Sequence, residues 1–146
     1  NSSAASDVYK RQGYHTDVTL PFALRKLNRK EKEVIEILVS TYQEILEKIK
    51  TGIYDYEVFE IANNYLKKFG LEMKHGVGHG IGLEIHEFPS FLPKKGRKNI
   101  TKISNGMIFT IEPGIYLKKF GFRIEDDFLV KGNKIIPMTN SHFIFE

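Results

Sequence analysis

The chain has 146 residues, 41% of them hydrophobic and 27% charged, with a formal net charge of +4. That is one domain's worth of chain with enough apolar content for a core. It has no cysteine, which excludes disulfide scaffolds, thiolate zinc sites and thiol nucleophiles, so any metal must be held by carboxylate and imidazole. No apolar run approaches the roughly 18 residues that span a bilayer, and charges alternate in sign along the helical stretches, so neither a membrane nor nucleic acid is an expected partner.

Positions 2–12, "SSAASDVYKRQ", fit neither helical nor strand periodicity. They back-translate without a mismatch to a sequencing-library transposon adapter. Residues 1–12 are therefore expected to be adapter-derived and disordered, with residues 13–146 carrying the fold. Removing Asp7, Lys10 and Arg11 (one acid, two bases) lowers the net charge from +4 to +3.

"GYHTDVTLPF" alternates as a strand: Thr16, Val18, Leu20 and Phe22 share one face, His15, Asp17 and Thr19 the other. Val18 of this strand is expected to enter the core. Asn28 with Glu31 has the capping-box spacing, and the helix that follows carries a stripe through Val34, Leu38, Tyr42, Ile45 and Ile49 until Gly52 stops it. Asp55 is expected to cap a second helix with Val58, Ile61, Ala62, Tyr65 and Leu66 inward, ended by Gly70. Both helices are packing elements without chemistry. "KKGRK" at 94–98 reads as a solvated loop. From Lys74 onward, "HGVGHGIGLEIHEFP", "KISNGMIFTIEPG", "GFRIEDDFLV" and "NKIIP" read as strands separated by turns. Strand, two helices, then a run of strands predicts an α+β fold with the helices on one face of a curved antiparallel sheet.

The glycines do not form a phosphate cradle. A G-x-G-x-x-G register from Gly76 or Gly78 puts Ile81 or Leu83 where the third glycine belongs. His86-Glu87 likewise lacks the second histidine of a zincin helix. A lone histidine is more often a satisfied core or surface residue, but His75, His79 and His86 fall within twelve positions among glycines that permit close approach. Glu112 lies opposite Met107, Phe109 and Ile111, after a run with little charge. Arg123, Glu125 and Asp127 share one strand face, with Phe122 and Ile124 on the other. Strands with plain polar outer faces would look similar, yet one Asp, one His and two Glu from separate strands make a hard-ligand set for Mn²⁺, Co²⁺, Fe²⁺ or Zn²⁺.

At "GHGIGLEIHEFP", "GMIFTIEPGIY" and "FRIEDDFLV" the sequence resembles the pita-bread metallopeptidases, in the Xaa-Pro aminopeptidase and prolidase branch. The resemblance covers 13–146 and implies a pita-bread catalytic domain that is truncated here. It implies two divalent ions in the parent, with Mn²⁺ or Co²⁺ ahead of Zn²⁺ or Fe²⁺. Their ligands would include Asp17, His79, Glu112 and Glu125, and a metal-bridging hydroxide would attack the Xaa-Pro bond of a proline-containing peptide. Glu112 is also the implied general base. His86 would handle protons, stabilise the transition state and contact substrate, His75 would hold the substrate beyond the scissile bond, and Arg123 would orient a ligand carboxylate and border the substrate.

The family's first aspartate lies eleven residues before the second, at a position that Ser6 occupies. The chain alone is therefore expected to hold at most one ion and to have no appreciable activity. "DVTLPF" also departs from the family's Thr-Arg-Thr run at that strand. The resemblance further implies a homodimeric, cytoplasmic parent. Methionine aminopeptidases share "GHGIG" but end in a phenylalanine-glutamate-histidine motif where this chain has "RIEDD", and rank second. Creatinase-like enzymes and non-catalytic peptide- or histone-binding relatives have lost ligands that this chain keeps.

Overall fold

The computed structural model describes residues 2–141, with side chains from residue 9 onward. In chain order it comprises strands β1 (Ser2–Arg11) and β2 (Tyr14–Ala23), helices α1 (Arg29–Lys48) and α2 (Asp55–Lys67), and strands β3 (His79–Gly80), β4 (Glu87–Ser90), β5 (Ile108–Ile111), β6 (Gly114–Tyr116), β7 (Gly121–Arg123), β8 (Asp126–Lys131) and β9 (Lys134–Pro137). The main sheet has the order β4-β3-β5-β8-β9, with every pair antiparallel. β1-β2 and β6-β7 are separate hairpins.

The expectation of disorder at the N-terminus is corrected. Ser2–Arg11 forms a strand paired along its whole length with β2, from Ser2↔Ala23 to Arg11↔Tyr14. Its loop is two residues, Gln12 at φ 53° and Gly13 at φ 92°, both in the left-handed region that a type I′ hairpin turn requires. Ladder bonds are made by backbone groups that any sequence carries, and an unpaired β2 edge is a ready template for them.

α1 begins as its sequence predicts. The Asn28 side chain accepts from the Glu31 N–H at 3.0 Å, and Glu31 accepts from the Asn28 N–H at 2.9 Å. The cap assigned to Asp55 is corrected: Tyr54 holds that position, and Asp55, the first helical residue, is fully buried. Its carboxylate accepts both terminal nitrogens of Arg97, at 3.0 and 2.7 Å, and the Thr101 N–H at 3.1 Å. The basic loop is thus pinned through Arg97, while its lysines stay exposed.

One buried cluster joins Val34, Leu38, Ile45, Ile49, Val58, Ala62 and Leu66 of the helical region to Phe109, Ile111, Phe122, Ile124, Phe128 and Val130 of the strands. Ile61 packs against it half-buried. Strand alternation sends the intervening residues Thr110, Glu125 and Asp127 to the opposite side, where β2 lies. The expectation for Val18 is also corrected. Asp17 and Thr19 are 7% and 0% exposed, whereas Val18 is half-buried and Leu20 and Phe22 are 44% and 39% exposed. The polar face of β2 points inward because acids on the sheet accept its hydrogen bonds.

Candidate metal centre

Each candidate ligand is placed by backbone that the sequence shapes locally. His79 opens β3, flanked by Gly78 and Gly80. A Cβ on Gly78 would lie 2.0 Å from the Thr110 carbonyl oxygen, and one on Gly80 would lie 2.3 Å from that of Phe88. The glycines around His79 therefore let neighbouring strands close on it, and close approach of a ligand is not needed to account for them. Glu112 follows β5, and its N–H donates to the Val77 carbonyl at 2.7 Å. Glu125 stands between β7 and β8. It exchanges two 3.3 Å backbone bonds with Thr19 and accepts the Thr19 hydroxyl on Oε2.

The structure brings one ligand atom each of Asp17, His79 and Glu125 within 4.8 Å of one another. Glu112 joins them: its Oε1 lies 3.5 Å from His79 Nε2 and its Oε2 lies 3.6 Å from Arg123 Nη1. His79 Nδ1 lies 3.0 Å from the Gly80 carbonyl, which can only accept. Nδ1 therefore carries the hydrogen, and Nε2 presents its lone pair to the cluster. Burial lowers the His79 pKa and so favours the neutral, ligand-competent imidazole. The Glu112 carboxyl is pushed up to about 8, first by burial and then by the charge of Glu125, with Arg123 opposing. Burial also raises Glu125, against the Thr19 hydroxyl bond that lowers it.

His86 is exposed, its ring centroid 4.3 Å from that of His79. His75 packs edge-on against Tyr116 at 5.4 Å. Its Nδ1 faces the Gly76 carbonyl, while its Nε2 is buried without a hydrogen-bond partner among the described residues. Burial and the nearby Arg123 charge lower its pKa.

A divalent cation suits this constellation. The donors are hard oxygens and a neutral imidazole nitrogen, and Asp17 Oδ1 is buried with no hydrogen-bond partner among the described residues. Sequence reasoning assigned no role to Thr16, Thr19 or Asp127, although their alternation with the candidate ligands marked Thr19 and Asp127 as facing the same way.

Residues 6–132 match the model of metallopeptidase family M24, a span that begins inside the segment assigned to the adapter. An Xaa-Pro dipeptidase of Pyrococcus horikoshii is 36% identical over 138 residues, covering 91% of this chain and 38% of that protein. The solved prolidase of Pyrococcus furiosus has a TM-score of 0.88 at 32% identity, covering 97% of this chain and 42% of that one. A methionine aminopeptidase of Rickettsia prowazekii, with a TM-score of 0.78 at 18% identity, is similar in fold alone. The chain thus spans about two fifths of the length of the first two. The expected α+β, pita-bread architecture is borne out.

Proposed function

The chain belongs to metallopeptidase family M24, and from that premise we propose that it carries the metal-binding side of a peptidase that hydrolyses Xaa-Pro bonds. The observation that carries this reading is the approach of Asp17, His79 and Glu125 within 4.8 Å, with Glu112 3.5 Å from His79. These four would hold the metal, Mn²⁺ or Co²⁺ before Zn²⁺ or Fe²⁺. Divalent cations, when bound, polarise a scissile carbonyl and acidify the attacking water.

The chain's own residues do the rest. Glu112 takes the proton of the attacking water and returns it to the leaving prolyl nitrogen. Arg123, 3.6 Å from Glu112, orients that carboxylate. His86, exposed beside His79, contacts the substrate and donates to charge developing on its carbonyl. His75 offers its unpartnered Nε2 to the substrate beyond the scissile bond.

Ser6 pairs with Thr19 in the register position that the resemblance gives to a further aspartate, which leaves one complete cation site. The chain should bind about one Mn²⁺ or Co²⁺ by calorimetry, and Asp17→Ala or Glu125→Ala should abolish that binding. Hydrolysis of Ala-Pro should be negligible beside that of a full-length peptidase containing this segment. Turnover comparable to the full-length enzyme would overturn the one-ion reading, and metal binding indifferent to both alanine variants would overturn the site.

A further inference from the structure

We propose that Asp127 is a positioning residue for Asp17: its carboxylate holds the backbone of β2 against β8 and so sets where that ligand stands. The proposal rests on reading Asp17, His79 and Glu125 as one cation site.

β2 and β8 are joined by very little ladder. Between β2 and the segment entering β8 there is one isolated bridge, Thr19↔Glu125, with both backbone bonds at 3.3 Å. Continuing that antiparallel register by two residues sets Asp17 opposite Asp127. There the Asp17 N–H donates to Asp127 Oδ2 at 3.2 Å, and the Thr16 hydroxyl donates to the same oxygen. A side chain does what a backbone carbonyl does elsewhere in a sheet.

The position is unfavourable by itself. Like charges directly across two strands repel, and Asp127 is only 3% exposed. Its own backbone is firmly anchored. The Asp127 N–H donates to Thr139 Oγ1 at 2.8 Å, the Thr139 hydroxyl donates to Asp126 Oδ1 at 2.8 Å, and Tyr42 of α1 donates to Asp126 Oδ2 at 2.8 Å. A hydrogen-bonded path thus runs from the helix layer through Asp126 and Thr139 to Asp127, and from there to Asp17. Because Asp17 Oδ1 has no hydrogen-bond partner among the described residues, that oxygen is aimed from the backbone end.

Amide hydrogen exchange by NMR on the metal-free chain reads the contact directly. In Asp127→Ala the Asp17 amide should exchange about tenfold faster, as loss of one hydrogen bond implies, measured against the Val130 amide that donates to Met107. Asp127→Asn keeps an accepting oxygen and should leave Asp17 protected. Co²⁺ affinity, followed by its visible absorption, should fall about tenfold or more in Asp127→Ala and recover in Asp127→Asn. If alanine leaves the chain unfolded, the β-branched Asp127→Val serves instead. Unchanged Asp17 exchange in the acceptor-free variant overturns the proposal, as does faster exchange with undiminished Co²⁺ affinity. Failure of the parent chain to bind Co²⁺ sinks the underlying metal reading, while the exchange comparison still decides whether Asp127 holds β2.

Discussion

Gly80 shows how single residues set the geometry of the centre. A methyl group there would meet the Phe88 carbonyl carbon and oxygen at 2.5 and 2.3 Å, so β3 and β4 would have to part. Gly80→Ala should therefore destabilise the chain by about 1–3 kcal/mol, the usual range for overpacking a close contact. A lower urea midpoint at unchanged slope is the check. The same residues show what the sequence made legible. His79 stands out as a candidate ligand from its motif, and the glycines beside it as room for backbone or ligand to approach. Only the structure shows the carbonyls they accommodate, because strand neighbours 8 and 32 positions away are invisible to local spacing.

The start of α1 is the element whose sequence and structure agree most closely. Glu31, 3% exposed, accepts Arg25 at 2.6 and 2.9 Å and the Asn28 N–H at 2.9 Å. Arg25 first, then that backbone bond, pull its carboxyl down to about 2. A carboxyl lowered by folding contributes stability above its unfolded pKa of about 4.3 and loses it as pH falls toward about 2. Glu31→Gln should thus be less stable than the parent at pH 7, and the gap should close between about pH 5 and pH 2. Denaturant midpoints across that range test it, and equal gaps at both ends would contradict it. Helix periods and the Asn28 cap were legible because their partners lie three and four residues away. β2 was legible as a strand but not in its orientation, since alternation divides a strand into two faces without saying which one meets acids from the far end of the chain.

Across the whole molecule, the candidate cation site ties the N-terminal hairpin to the main sheet, so metal and fold should stabilise each other. At a free Mn²⁺ concentration a hundredfold above Kd, binding to the folded state alone contributes about 2.7 kcal/mol, or roughly 5–10 °C in Tm for a chain of this size. Asp17→Asn should abolish the shift in a thermal scan. The candidate ligand set could be read from three motifs, but the residues that fasten it could not. Thr16 and Asp127 are 111 positions apart and acquire meaning only once β2 lies along β8. That separation also fixes an order of events in time. The bond between Thr19 and Glu125 closes a loop of 106 positions, and contacts so distant in sequence form slowly. While the chain is still emerging from a ribosome, Asp17 and His79 are already made, but the candidate site is not complete until Glu112 and Glu125 have followed. Metal capture is therefore a late event, and its rate in a refolding experiment times the meeting of the two ends.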